Sequence, residues 1–301
     1  MKAGSENNPG RTAAMKPVRT LARVAWLALR RRFVAREEIA EDYDRISEGY
    51  DENFSSFAAA HSDELVGRIG GLPEDARILD LACGTGAVVA AWRRRWPGAE
   101  IAGVDRSPGM LARARERCPD ARFVAADMEE ALDAVPDGSL DAASCAWAIG
   151  YARPRALARE VLRKLKRGGV FAVLENRRDT WPQIRRAAFG VAMERPEALV
   201  RLMDLHLRLP KSEWALAGWL RSAGFAGVEC GGGATERVFE NGRAVLDWAL
   251  ATGVSAGFDR AMDPARRAEC DEAFVRLVER GSTAGGIRIE HRHVWATGGR
   301  P

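Results

Sequence analysis

The chain has 301 residues, 47% of them hydrophobic and 29% charged, enough for one large α/β domain with a modest addition but a squeeze for two full domains. Its 46 basic and 42 acidic side chains leave a net charge of +4, and their interleaving argues against a dedicated nucleic-acid binder. No apolar run approaches the roughly 20 residues that span a bilayer. The five cysteines, Cys83, Cys118, Cys145, Cys230 and Cys270, lack the spacing of a zinc or iron–sulfur site, so a reduced, cytoplasmic, metal-free protein is expected.

Residues 1–16 are rich in Gly, Asn, Ser and Pro and are expected to be a flexible leader, with Met15 an alternative start. Over 18–36, apolar residues mix with six arginines, at 19, 23, 30, 31, 32 and 36. This predicts a basic helix that either packs on the main domain or makes peripheral contact with an anionic membrane. The expected organisation is a leader and basic helix over 1–36 and one domain over 37–301.

Short apolar runs at 77–82, 100–105, 121–125, 140–146 and 170–175 read as strands separated by helical stretches, the alternation of a parallel sheet with covering helices. Ser107-Pro108 predicts an N-cap followed by proline at the first helical position. Pro154 opens a helix with Leu157, Val161, Leu162 and Leu165 on one face and Arg155, Arg159 and Lys166 towards water, which Gly168 and Gly169 are expected to end. After 175 the alternation stops. The stretch 181–209 predicts one or two helices, a lid inserted over about 177–210 at the sheet's carboxyl edge. An amphipathic helix at 212–223, ended by Gly224, precedes two last strands at 228–239 and 287–296. The second of these places Ile287, Ile289, His291, His293 and Trp295 on one face.

The stretch Ile78-Leu79-Asp80-Leu81-Ala82-Cys83-Gly84-Thr85-Gly86 carries the functional argument. A buried strand runs into a glycine turn and a helix, whose free N–H groups suit a carboxylate or phosphate. Gly84 and Gly86 are expected to let the backbone approach a ligand. The next strand ends at Asp105, twenty-one positions after Gly84, where a carboxylate beside the turn can accept from both ribose hydroxyls. A third strand ends at Asp127, which could accept from an adenine amino group, while Met128 offers the ring an apolar surface. A dinucleotide reading is weaker, because Val89 stands where its third glycine is expected.

These stretches resemble the class I S-adenosylmethionine (SAM)-dependent methyltransferases. The glycine turn matches their first motif, Gly103-Val104-Asp105 with Ser107-Pro108-Gly109-Met110-Leu111 the second, and Ala126-Asp127-Met128 the adenine-side motif. Asp137-Gly138-Ser139-Leu140-Asp141 and Leu165-Lys166-Arg167-Gly168-Gly169 resemble their approaches to strands four and five. Tyr43-Asp44 and Tyr50-Asp51 look like the N-terminal segment of the ubiquinone and menaquinone (type 11) group. The resemblance covers 43–176 well and departs at Ala82, where glycine is frequent. It implies an α/β, Rossmann-like, doubly wound sheet of seven strands, mostly parallel with an antiparallel last strand. For SAM, it implies Asp80, Ala82, Gly84 and Gly86 at the methionine end, with Tyr50 closing over it, and Asp105 and Arg106 at the ribose. It also implies Asp127 and Met128 at the adenine and Ala146 facing the sulfonium.

Methyl transfer from a sulfonium releases a neutral leaving group, so positioning and water exclusion carry much of the catalysis. A general base is needed only where the acceptor must lose a proton, which is why the acceptor side is not legible. Trp147, just past strand four, is expected near the sulfonium or the acceptor. His206 in the lid and His61 before the sheet are acid or base candidates. His291 and His293 lack a third metal ligand, and Glu175, Arg177 and Trp181 could contact an acceptor. The expected function is methylation of a small molecule or natural-product intermediate at oxygen, nitrogen or carbon. The alternatives are N-methylation of a peptide or amine, and a non-catalytic SAM-fold protein that binds a partner or membrane.

Overall fold

The computed structural model describes residues 9–203, 208–283 and 285–301, with the side chains of 9–16, 36 and 51–59 left aside. Helix α1 (Pro9–Leu29) starts inside the stretch expected to be irregular, and β1 (Phe33–Val34) leads into the 32-residue helix α2 (Arg36–Gly67). The alternating part follows as β2 (Arg77–Leu81), α3 (Ala87–Arg95), β3 (Glu100–Asp105), α4 (Pro108–Arg117), β4 (Arg122–Ala125), α5 (Met128–Asp133), β5 (Leu140–Ala146), α6 (Pro154–Lys164) and β6 (Leu165–Asn176). The rest is α7 (Pro182–Glu194), β7 (Leu202–Met203), α8 (Glu213–Ala223), β8 (Ala226–Phe239), α9 (Gly242–Ala251), α10 (Phe258–Ala261), α11 (Arg267–Glu279) and β9 (Ile287–Gly299).

Seven strands make one sheet in the order β4-β3-β2-β5-β6-β9-β8. Its first five strands run parallel, and β9 lies antiparallel between β6 and β8. The expected fold is thus the observed one. Strand β2 is central, and every residue of its neighbour β5 is buried, which is what a parallel strand covered on both faces requires. Leu79, Leu81, Val104, Leu157, Val161 and Phe171 fill one side of the sheet, packed under Leu216 and Leu220 of α8. Ile78, Val89, Trp92, Ile101 and Leu111 fill the other, with Leu65 of α2 and Ile69 just past its end. Local signals set the helix ends. Ser107 accepts from the Met110 N–H at 3.1 Å, Ser212 accepts from Ala215, and Gly224 leaves α8 at φ 108°.

Two parts differ from expectation. Gly168 and Gly169 do not end α6, which stops at Lys164 and passes directly into β6. The physical reason is a buried lysine: Lys164 turns inward, and its ammonium donates to the Val135 carbonyl at 2.7 Å and to Asp137 at 2.9 Å. The extra residues 166–169 bulge opposite Asp141, and Gly168 and Gly169 pair with Arg300 instead.

The second difference is the cap. Residues 240–286 gave no readable signal, yet they hold α9, α10 and α11. These join α7, so the helical layer comes from two insertions and not from 177–210 alone. Its core consists of Ile184, Val191, Val245, Phe274 and Val278 packed on Ile287 and Ile289 of β9. Further along, β9 contributes Val294 and Ala296 to the main core.

Because one strand serves both cores, Phe274→Ala is expected to cost about 3–5 kcal/mol and to shift a single unfolding transition. Chemical denaturation followed by circular dichroism and tryptophan fluorescence checks this; two separated transitions would mean that the cap melts alone.

Candidate functional site

A cavity opens at the carboxyl ends of β2, β3, β4 and β5, where loops of an open α/β sheet place ligands. Of the cofactor residues named from sequence, Tyr50, Asp80, Ala82, Gly84, Asp105, Arg106, Asp127, Met128 and Ala146 all border it, and so does Trp147.

Gly86 is the exception and corrects the sequence reading. It caps α3 at φ 82°, and a Cβ there would meet Ala114 of α4 at 3.2 Å. Its bareness serves helix packing, not ligand approach. Gly84 borders the cavity at φ 52°, with open space where a Cβ would stand. Ala82 also adopts a left-handed conformation, φ 55°, which strains a residue with a Cβ by roughly 1–2 kcal/mol and accounts for the frequent glycine at this position in the resembled family.

Asp80 is held by a fully internal chain. Trp92 Nε1–H donates to Ser144 Oγ at 2.9 Å, and the Ser144 hydroxyl donates to Asp80 Oδ1 at 2.7 Å. The second oxygen, Oδ2, is buried without a hydrogen-bond partner among the described residues, a condition that a buried carboxylate tolerates poorly. Burial pushes this acid up to about 7, against the pull of Ser144.

Asp105 does more than cap a strand. Its Oδ2 accepts from the Gly84 N–H at 2.8 Å and its Oδ1 from the Ser107 N–H at 2.9 Å, so it braces the glycine turn against the entry to α4. Burial raises its pKa despite those bonds. Asp127 is the N-cap of α5, accepting from Glu129 N–H at 2.9 Å, and lies 3.7 Å from the Arg106 guanidinium. Arg106 also reaches Glu37 at 3.0 Å. Cys83 at the turn is buried and its thiol is pushed well up, which makes it inert as a nucleophile.

The aromatic wall was only partly foreseen. The chain has three tyrosines, Tyr43, Tyr50 and Tyr151, and all border the cavity. The Tyr43 and Tyr151 hydroxyls lie 3.2 Å apart, and the Tyr43 and Tyr50 rings meet edge-on at 6.3 Å. Desolvation raises Tyr43 and Tyr151, so both stay protonated donors at neutral pH. Tyrosine scarcity together with the Tyr-Asp repeats was the signal that could have found Tyr43. The cap closes on this wall. Gly253 abuts the Tyr43 ring, Gly257 N–H donates to Asp42 at 3.0 Å, and Arg260 bridges Glu38, Glu41 and Asp42.

The remaining candidates divide. Trp147 stands at φ 62°, its N–H donating to Leu174 at 2.7 Å, and non-glycine residues held there mark functional edges more often than chance. Behind it lie His61, His291 and His293, with ring centroids 6.1, 5.4 and 6.2 Å from the indole. None of the three borders the cavity. His291 bonds Asn176 at 2.7 Å and stacks under Trp181 at 4.9 Å. Burial lowers His291 to about 3 and His293 to about 4, so both are neutral. His206 lies outside the described residues. Glu175 is buried and accepts from Gly150 N–H and Asn176 N–H, and Arg177 pairs with Asp179. Neither borders the cavity; their bonds lie at the end of β6. Among the described residues no cluster of three metal-ligating side chains occurs, and no helix is long and apolar enough to cross a membrane.

Residues 78–169 match the family model described as a methyltransferase domain. The trans-aconitate 2-methyltransferase of Variovorax paradoxus (strain S110) is 37% identical over 143 residues, covering 46% of this chain and 52% of that protein. The enzyme of the same name from Escherichia coli O1:K1 / APEC is 45% identical over 87 residues, covering 26% and 34%. The chain therefore spans about half, or less, of the length of these curated relatives. Among solved structures, the YcgJ protein of Bacillus subtilis superposes with a TM-score of 0.51 at 19% identity, covering 80% of this chain and 98% of that one. A SAM-dependent methyltransferase from Thermotoga maritima superposes with 0.50 at 16% identity, covering 87% and 100%; identities this low speak for the fold alone. Together these matches agree with the resemblance: residues 78–169 match a methyltransferase domain, and the sheet shares its fold with solved structures that include a SAM-dependent methyltransferase.

The buried acids make a pH prediction. Asp80 keeps its proton to about 7 in the fold but releases it near the ordinary 3.8 when unfolded. Its contribution to stability is therefore complete below about pH 4 and is lost as the pH rises through 7. Glu175, raised from 4.5 to about 7 by burial, acts in the same direction. Thermal midpoints across this window should decline for the unsubstituted protein and decline less for Asp80→Asn; equal slopes would remove Asp80 from the account.

Proposed function

We propose that this protein is a SAM-dependent methyltransferase acting on a small molecule. The carrying observation is the convergence of Asp80, Gly84, Asp105 and Asp127 on one cavity. The residues fit the cofactor in kind. Asp80 Oδ2, buried and unpartnered, suits an ammonium; the space at Gly84 suits the carboxylate arm; Asp105 keeps lone pairs for ribose hydroxyls; Met128 offers an apolar face to adenine. SAM would supply an electrophilic methyl on a sulfonium that leaves uncharged. The chain's part is to orient the acceptor and exclude water, with the Tyr43 and Tyr151 hydroxyls as hydrogen-bond donors on the cavity wall.

The wall also speaks to the acceptor. The relatives are named for trans-aconitate, a tricarboxylate, and a buried polyanion needs cations. Here Asp80, Asp105, Asp127 and Glu129 border the cavity, and among the described residues the single bordering cation, Arg106, already faces Glu37 and Asp127. An uncharged or cationic acceptor therefore suits the cavity, and trans-aconitate does not.

Calorimetric titration with S-adenosylhomocysteine tests the first reading. Asp105→Ala should weaken binding by roughly 10- to 100-fold, the worth of charge-assisted hydrogen bonds; an unchanged affinity, or none in the unsubstituted protein, would sink it. For the second reading, SAM turnover with trans-aconitate should be undetectable while an uncharged phenol or an amine from an acceptor panel is methylated. Binding of S-adenosylhomocysteine without turnover on any acceptor would favour a non-catalytic binder.

A further inference from the structure

Helix α1 is tied to the body of the protein through the side chains that face it, among them Arg19, 3.6 Å from Glu197. Among its described side chains, Thr20 and Leu27 are buried, with Thr20 donating to the Ala192 carbonyl at 3.2 Å and Arg23 to the Leu199 carbonyl at 2.7 Å. The opposite face is apolar and open: Val18 is 65% exposed, Leu21 69% and Leu29 83%. With Ala22 and Ala25, these residues fall at the three- and four-residue spacing of one stripe. Trp26 lies beside them, 44% exposed, with the guanidinium groups of Arg23 and Arg30 over its ring at 4.8 and 5.6 Å.

The end of the helix is built of cations. Arg32 N–H donates to the Leu27 carbonyl and Arg31 N–H to the Ala28 carbonyl, both at 3.0 Å, the paired bonds of a Schellman turn. The residue that must take the left-handed conformation in that turn is Arg31, at φ 50°. Glycine would occupy that position without strain. Arg30, Arg31 and Arg32 are all exposed and form no ion pair with the described carboxylates. Next along the chain, Phe33 is 40% exposed, and Phe189, on the helix against which α1 packs, is 66% exposed.

We propose that α1 is a docking helix whose occupant is an anionic bilayer surface. An apolar stripe bordered by a tryptophan and ended by three unpaired arginines matches what such a surface offers, acyl chains beneath a layer of phosphates. A neutral partner would leave Arg30, Arg31 and Arg32 unmatched. The inference stands on α1 alone and does not depend on the cofactor reading.

Co-sedimentation of the full chain with vesicles of phosphatidylcholine, and of phosphatidylcholine with phosphatidylserine, tests it. Binding is expected to the second alone and to weaken as salt is raised. Leu21→Glu combined with Leu29→Glu should abolish it while affinity for S-adenosylhomocysteine is unchanged. Arg31→Gly separates a structural role from a docking one, because glycine relieves the turn: its melting temperature should hold or rise while vesicle binding falls roughly fivefold, the effect of one basic residue near a charged membrane. Absence of vesicle binding overturns the proposal, as does binding that both variants leave unchanged. Loss of a dimer in the double variant by size exclusion overturns it too, since a second copy would then be the occupant.

Discussion

The candidate site depends on the confinement of one carboxylate. Asp80 lies on the central strand, flanked through the sheet by Gly103 and Ser144, and it reaches the cavity with only one of its oxygens satisfied. The partner of the satisfied oxygen, Ser144, is fixed from behind by Trp92, itself wholly buried. A group so desolvated is a poor resting place for negative charge and a strong attractor for a cation that brings its own counter-charge. The glycine turn and its brace to Asp105 hold the backbone that frames this acid. Stability is thereby spent on an arrangement that becomes favourable when something positive arrives.

What could be read from residues alone was what short-range chemistry encodes. The parallel strands, the Ser107 and Ser212 caps and the Gly224 stop follow from alternation, side-chain oxygens and positive φ, all visible within a few positions. Asp105 and Asp127 were legible because a strand end in this architecture has a known neighbour. Their contacts within the chain were not, since Asp105 bracing Gly84 depends on a partner twenty-one residues away and Asp127 capping α5 gives the same sequence signal as a strand-end acid facing a ligand. Gly86 misled for a related reason: two glycines in one turn can each serve a different contact, and only the approach of Ala114 tells them apart.

The cap was the least legible part. Its helices α9 and α11 pack on each other, on α7 and on one end of β9, so their apolar faces answer partners in other elements, α7 among them more than forty residues away in sequence. The tie between the cap and the cavity is ionic as well as apolar. Arg260 and Arg201 gather Glu38, and Arg260 also takes Asp42, on the first turns of α2. Glu38 is held below the ordinary carboxylate range by its bonds to the Ala35 backbone and Arg201. Those same turns carry Ile39, Ala40 and Tyr43 into the cavity wall, so a shift of the cap would be felt there.

The position of β9 has a consequence for how the molecule is assembled. It is the last strand in the chain, yet it lies between β6 and β8. Until it inserts, β8 has no neighbour along its entire length and β6 has an open edge. During synthesis the first half of the domain can therefore form its sheet through β6, while β8 and the cap helices wait with apolar surface uncovered. Closure of the sheet and burial of the cap are then one late, long-range event, and that interval is when the growing chain has most need of protection from its neighbours.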